Sequence, residues 1–251
     1  MSLFKRFRAS KPTFSAPLRP DEPFFAVGDI HGRADLLSPL FSVLQKATPA
    51  IDTPVIFVGD YIDRGDQSLE VLRWLHELQQ EAGEQVICLR GNHEEMLLNF
   101  LKAPASAGPR WVRHGGLQTL AGLRIAPPGS QAKDSDWESV RDQLLETMGP
   151  SLVEWLQALP LSWSSGNIAV VHAGADPALP INEQAPDVLT WGHPAFTQEP
   201  RQDGIWVVHG HTIHDQPDVT NGRIAIDTGA YATGRLTTAL VQSGTLDFYK
   251  A

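Results

Sequence analysis

Six short apolar runs punctuate this chain, and each gives way abruptly to polar or glycine-containing sequence. Phe24–Val27 runs into Gly28-Asp29, Val55–Val58 into Gly59-Asp60, and Val86–Leu89 into Arg90-Gly91-Asn92-His93. Later, Ile168–Val171 meets His172, Ile205–Val208 meets His209-Gly210-His211, and Ile224–Ile226 meets Asp227. Uninterrupted apolar runs bounded by turn signals read as strands buried on both faces. Helical stripes fill the gaps: Leu36, Leu37, Leu40, Phe41 and Leu44 form one, and Leu69, Leu72, Leu75 and Leu78 another. Asp29, Asp60 and Asn92 follow one another at intervals of 31 and 32 residues, the rhythm of successive βαβ units. Spacing alone therefore predicts an α/β doubly wound sheet with Asp, His and Asn gathered beyond the carboxyl ends of its strands, where ligands bind in such folds.

Two stretches break the rhythm. Residues 104–165 carry Pro/Gly-rich turns and then helical periodicity over Trp137–Met148 and Leu152–Leu159, which predicts a helical insertion over the site. Residues 1–23 set Lys5, Arg6, Arg8 and Lys11 among Phe4, Phe7 and Phe14, followed by Pro17, Pro20 and Pro23. That segment lacks the apolar core of a signal peptide and reads as a flexible tail ahead of a single domain over residues 24–251.

Composition narrows the class. The length of 251 residues is ample for a substantial core, and a lone Cys88 excludes both a disulfide framework and a thiolate metal cluster. No apolar run approaches the roughly 18 residues of a membrane span, so no integral membrane segment is expected and a cytoplasmic location is. The net charge of −9 argues against a general nucleic-acid binder.

The strand ends carry the chemistry. Asp29-Ile30-His31 puts a carboxylate and an imidazole within reach of one cation, and Asp60 from the next strand has two oxygens with which to bridge two metals. Asn92 offers a carbonyl oxygen; His172 and His211 offer ring nitrogens. A mixed N and O set without sulfur suits Mn, Fe or Zn rather than Ca or Mg. Two such cations clamp a phosphate and lower the pKa of a water between them. Arg64 suits bidentate contact with phosphate oxygens, and Arg90 is a second candidate cation. Asp63 is placed to orient His93 and favour its protonated form, making His93 a general acid for the leaving group. Cys88 sits inside a predicted strand and reads as core rather than as a thiolate nucleophile.

GDIHG at 28–32, GDYIDRG at 59–65 and RGNHE at 90–94, with HAG at 172–174, GHT at 210–212 and IDTGAY at 226–231, resemble the signature of the PPP-type metallophosphatases. The ordered set is most like the short bacterial and phage branch, over roughly residues 24–242. The resemblance implies a calcineurin-like αββα sandwich of two mixed sheets in place of the single sheet. It implies one metal held by Asp29, His31 and bridging Asp60, and a second held by Asp60, Asn92, His172 and His211. It further implies His93 and Asp63 as the acid pair, Arg64 and Arg90 facing phosphate, Tyr231 overhanging the site, and attack by metal-activated water without a phosphoenzyme. Members of that branch often carry an Arg just after the Trp of a Leu-x-Trp segment. Here the segment is Leu189-Thr190-Trp191-Gly192-His193, so His193 or Arg201 substitutes, or the clamp is absent.

Other residues have competing readings. His114 either lines the substrate approach or caps a turn; His209 either supports His211 or is a buried strand residue. His76 and His214 read as surface, and the tryptophans as packing. The leading functional expectation is a two-metal, most simply Mn-dependent, phosphatase of phosphoserine and phosphothreonine proteins, with phosphotyrosine as a further substrate. The alternative is a symmetrical dinucleoside tetraphosphate hydrolase, against which stands the lack of an evident basic cluster in the sequence. An inactive phosphate-binding scaffold would show a lost ligand or acid, and none is lost.

Overall fold

The computed structural model describes residues 13–47 and 52–251. Its strands are β1 (Phe24–Val27), β2 (Val55–Phe57), β3 (Val86–Cys88), β4 (Ser162–Ser165), β5 (Ile168–Val171), β6 (Trp206–His209), β7 (Asp218–Thr220), β8 (Arg223–Ala225), β9 (Thr237–Gln242) and β10 (Thr245–Lys250). They form two five-stranded mixed sheets, ordered β10-β9-β1-β2-β3 and β4-β5-β6-β8-β7. The single doubly wound sheet predicted by spacing is thus two. The first has a parallel block, β1-β2-β3, ending at the β3 edge, with antiparallel β9 and β10 on its other side; the second has a parallel centre, β5-β6-β8, edged by antiparallel β4 and β7.

Side-chain alternation explains the layering. Phe24 and Ala26 point between the sheets, where they meet Ile56, Val58, Ile168, Val170, Val208 and Ile224. Phe25 and Val27 point the other way, into a core shared with the helices α1 (Leu37–Ala47), α2 (Ser68–Ala82) and α3 (Asn92–Lys102). The outer face of the second sheet is covered more thinly. Val171 and Val207 pack there with Phe196 and with Leu189 of a short helix, Pro186–Trp191.

Between β3 and β4 lie four further helices: α4 (Pro104–Trp111), α5 (Leu117–Gly122), α6 (Asp134–Met148) and α7 (Pro150–Ala158). A one-turn π-helix, Val112–Gly116, joins α4 to α5. Trp111, Leu120, Val140, Leu144, Leu152 and Leu156 enter the same core as α1–α3, so the inserted helices add to one core rather than building their own.

The flexible tail expected over 1–23 does not describe residues 14–23. Residues 1–12, with Lys5, Arg6, Arg8 and Lys11, lie outside the described residues. From Phe14 onward the chain is tied to the second sheet. Arg19 N donates to Asn167 Oδ1 at 2.8 Å, Asp21 N to Ser165 Oγ at 2.9 Å, and Trp206 Nε1 to the Ala16 carbonyl at 2.9 Å. Phe14 stands edge-on to Trp206 with ring centroids 4.9 Å apart. The three prolines that suggest looseness in sequence instead limit the backbone freedom lost in laying this strap down. Among the described residues, no helix is long and apolar enough to cross a membrane.

Candidate metal centre

The carboxyl ends of both parallel centres converge. β1 delivers Asp29 and His31, β2 Asp60, and β3 Asn92 and His93; across the cleft β5 delivers His172, β6 His211 and β8 Asp227. Turning the chain this sharply at each strand end needs unusual backbone. His31, Asp60, Asp63, Arg64 and His211 all have positive φ, between 49° and 71°, and are five of the seven non-glycine residues in that region among the described residues. Such conformations persist only where the surroundings over-determine them, and they cluster at functional sites. Close approach is equally demanding: a Cβ at Gly210 would sit 1.9 Å from Asp29 Oδ1.

Asp60 is the centre of the cluster. Its Oδ2 lies 3.6 Å from His31 Nε2 and 3.8 Å from His93 Nε2, while its Oδ1 lies 3.3 Å from His172 Nε2. Asn92 Oδ1 is 2.9 Å from His172 Nε2 and 2.8 Å from His211 Nδ1. His31, Asp60 and His93 form one buried group able to hold a metal ion, and Asp60, His172 and His211 a second. Backbone carbonyls set the ring orientations. His31 Nδ1–H donates to Ile62 O at 2.8 Å and His172 Nδ1–H to Val58 O at 3.1 Å, so that in both rings Nε2 is the nitrogen turned to the cluster.

Unmet polar demand supports a cation here. Asp29 Oδ1, His31 Nε2 and Asp227 Oδ2 are buried without a hydrogen-bond partner among the described residues. Burial, together with the neighbouring Asp227 and Asp60 carboxylates, pushes Asp29 well above the usual carboxylate range. Burial also raises Asp227. Asp60 is buried as deeply, but His172, His93 and His31 face it and hold it well below that range. Burial drives His31 down to about 3 and His211 to about 4, which leaves both rings neutral as metal ligands must be. The residues present fit divalent cations with N and O preference, and the two groups are consistent with a binuclear centre, the first holding His93 where the sequence expectation has Asp29.

Metal binding should therefore depend on pH. Against its burial, His172 is raised above 6.5 by Asp60, and burial raises Asp29, so at both groups protons compete with a bound cation to higher pH than is ordinary. Mn²⁺ affinity should rise with pH, most steeply above the ordinary 6.5 of an imidazole, with net proton release on binding. Calorimetry in two buffers of different ionisation enthalpy measures this; no proton exchange and a flat affinity would contradict it.

Beside the cluster, His93 Nδ1–H donates to Asp63 Oδ2 at 2.7 Å. Asp63 is fully buried, and Trp111 Nε1 and Thr119 Oγ1 also donate to it, at 3.0 and 2.7 Å. Burial alone would lower His93, but the Asp60 and Asp63 carboxylates outweigh it and raise its pKa. Arg64 Nη2 stands 3.3 Å from His93 Nε2, and its guanidinium lies 4.9 Å above the Tyr231 ring. Tyr231 in turn is edge-on to His31 at 5.5 Å. The structure therefore brings Asp29, His31, Asp60, Asp63, Arg64, Asn92, His93, His172, His211 and Tyr231 together.

Three further site candidates have partners elsewhere in the protein. Arg90 donates through Nη2 to the carbonyls of Leu159 (3.0 Å) and Gln157 (3.4 Å) at the end of α7, bracing the insertion, while its Nε is buried without a hydrogen-bond partner among the described residues. Arg201 is buried and donates to the carbonyls of Asp176 and Leu179 and to Asp203, so it is no phosphate clamp. His193 faces Asp176 at 3.8 Å. The cation at the Trp191 ring is Arg110, 4.8 Å from its centroid, a residue the sequence did not single out.

Sequence reasoning also missed the supports. Glu94 is fully buried, and its carboxylate accepts the backbone N–H groups of Asp60, Tyr61 and Gly91 at 2.9, 2.8 and 2.9 Å, fixing the turn that carries Asp60. Its position three residues after Gly91 is the one visible signal, that of a helix-capping carboxylate. Trp111, read as packing, is also a donor to Asp63. His209 is buried with its Nδ1–H on the Gly210 carbonyl at 3.0 Å, in keeping with a buried strand residue. His114 is exposed, with Nδ1–H on the Arg110 carbonyl at 2.8 Å.

The Calcineurin-like phosphoesterase family profile matches residues 22–225. An asymmetrical bis(5'-nucleosyl)-tetraphosphatase, PrpE, of Bacillus velezensis is 27% identical over 235 residues, covering 84% of this chain and 86% of that protein. A symmetrical bis(5'-nucleosyl)-tetraphosphatase of Burkholderia mallei is 32% identical over 155 residues, 62% of this chain and 43% of its own length. In fold, the chain is similar to a cold-active protein-tyrosine phosphatase of a psychrophilic Shewanella species, with a TM-score of 0.61 at 18% identity over 92% of this chain and 83% of that one.

Proposed function

The chain belongs to the calcineurin-like phosphoesterases, and from that premise we propose that it hydrolyses dinucleoside polyphosphates at a two-metal centre. The observation that carries the reaction class is Asp60, whose two oxygens face two different histidine groups beside the His93–Asp63 pair. The substrate class rests on the bis(5'-nucleosyl)-tetraphosphatase that aligns along most of both chains.

In this reading Asp29, His31 and Asp60 hold one cation, and Asp60, Asn92, His172 and His211 the other. When bound, such a pair would supply Lewis-acid contact to phosphoryl oxygens and lower the pKa of an attacking water. The rest falls to the protein. Arg64 binds phosphoryl oxygens and orients the scissile group. As water attacks phosphorus and the opposite P–O bond breaks, His93 gives its Nε2 proton to the leaving oxygen. Asp63 keeps Nδ1 protonated and offsets the positive charge on the ring, and Trp111 and Thr119 hold Asp63 in place.

Phosphoprotein hydrolysis, the leading expectation from the motifs, becomes the second reading. The well-supported acid pair favours it, because a serine or threonine alkoxide needs a proton more than a departing nucleotide does. The discriminating test is hydrolysis by chelator-stripped protein after adding Mn²⁺. Its panel holds diadenosine tetraphosphate beside phosphoserine, phosphothreonine and phosphotyrosine peptides. Cleavage of the dinucleotide well above the peptides is the expected result, and the nucleotide products distinguish symmetrical from asymmetrical attack. Release from peptides alone would install the phosphoprotein reading, and silence throughout would leave a phosphate-binding scaffold.

A further inference from the structure

Beside the metal centre lies a groove of about 720 Å³, within the size range of small-ligand sites. Its inner wall is Arg64 and Tyr231; its outer walls include Arg113 and His114 of the π-turn, Leu117 at the start of α5, and Ile213 beyond His211. We propose that this groove seats the leaving nucleotide of a dinucleoside polyphosphate. With Arg64 on the scissile group, Arg113 would contact the phosphates beyond the scissile bond, and Tyr231, Ile213 and Leu117 the nucleoside. The assignment deepens the dinucleotide reading of the site and rests on it.

Direction of departure places the ligand. In an in-line displacement the leaving oxygen lies opposite the attacking water, on the side of the group that protonates it. That group is His93, whose Nδ1 is engaged by Asp63, so its Nε2 points to the leaving oxygen. Arg64 Nη2 is 3.3 Å from Nε2, and the Arg64 guanidinium continues over the Tyr231 ring into the groove. A leaving group moving away from His93 therefore passes Arg64 and enters the groove.

The lining suits an anionic ligand with an apolar end. The whole chain carries net charge −9, yet none of the residues that line this groove is acidic, and two are arginines. Arg113 is exposed, with its Nε donating to the Pro109 carbonyl at 3.0 Å, which steadies the guanidinium. Four large apolar side chains stand exposed among the described residues, and two of them, Leu117 and Ile213, line this groove. A single exposed apolar residue is ordinary, but a pair flanking a Tyr ring makes a surface for a base or ribose. The backbone links groove to site: Gly115, at φ 119°, sets its carbonyl on Arg64 N at 3.2 Å, and a Cβ there would meet Arg64 Cγ at 2.9 Å. The turn that carries Arg113 and His114 is thus packed directly against Arg64.

Steady-state kinetics of the Mn²⁺-loaded full chain and of Arg113→Glu test the assignment, with diadenosine tetraphosphate and p-nitrophenyl phosphate as substrates. Losing one charge-assisted contact and adding a repulsive charge should raise the ratio of the two KM values by about tenfold or more, with the change in KM rather than kcat. An unchanged ratio overturns the groove. If the wild-type protein hydrolyses p-nitrophenyl phosphate but not the dinucleotide, the substrate reading fails by itself. The groove is then judged by adenosine diphosphate as a competitive inhibitor of p-nitrophenyl phosphate hydrolysis. A Ki raised by about tenfold in Arg113→Glu supports it as a nucleotide seat, and an equal Ki in both proteins rejects it.

Discussion

His93→Asn should cut turnover by roughly 10²–10⁴-fold while leaving metal content unchanged, the range expected for loss of a general acid. Asn keeps approximate size and polarity at a position with 1% exposure, so the α3 start that presents it survives. It cannot donate a proton of suitable acidity. The loss should depend on the leaving group: near the lower end for diadenosine tetraphosphate, whose nucleotide departs as a stable anion, and near the upper end for a phosphoserine peptide. Wild-type activity should also decline on the alkaline side as His93 loses its proton, because Asp60 and Asp63 raise its pKa above 6.5 but do not remove its titration. In the variant that alkaline limb should flatten. Single-turnover rates on both substrates, beside metal content by atomic spectrometry, measure all of this. Wild-type turnover, or an equal loss on both substrates, would deny His93 the acid role.

The acid pair also shows what a sequence can and cannot disclose. Asp63 and His93 are legible because each comes a few residues after a buried strand, and a strand end aims the adjoining turn at the ligand edge. The same rule leads to Arg90 but does not foresee its contacts with the insertion. Its side chain leaves the turn on the side of α7, where two open carbonyls at the helix end await a donor, and no periodicity over residues 86–93 reveals that partner. Trp111 is hidden for a related reason. An indole reads as core, and this one is fully buried, yet its N–H reaches a carboxylate 48 residues earlier in the chain.

The division into two sheets was equally beyond local pattern. The edge strands that close the second sheet lack apolar runs: β4 reads SWSS, and β7 is exposed throughout. They exist because a neighbouring strand pairs with them, which is a tertiary fact. The basic cluster whose absence counted against a nucleotide substrate is of the same kind. Arg64 and Arg113 belong to distant segments and line one groove only after the π-turn packs on Arg64. Longer-range features of this sort decide between the two substrate readings, whereas the metal chemistry is written in the strand ends themselves.

Asp60→Asn should empty both metal positions, not one. Asp60 is the carboxylate common to the two groups, with Oδ2 toward His31 and His93 and Oδ1 toward His172. Replacing one oxygen by an amide NH₂ removes a ligand atom from one cation and the shared negative charge from both. The fold should tolerate the change. The carbonyl oxygen of Asn can still accept the His93 backbone N–H, now 3.0 Å from Oδ1, and Glu94 holds the backbone of the turn independently of the side chain. The Mn²⁺ concentration needed for half-maximal activity should rise by at least about 10–100-fold, the scale on which lesser changes around metal ligands act. The upward shift of the melting temperature that Mn²⁺ gives the wild-type protein should largely vanish, because binding stabilises the folded state only as far as the metal prefers it. Metal content per chain is the deciding quantity. Two ions retained would remove Asp60 from the ligand set, and one retained would make it a ligand of a single site and end the bridging assignment.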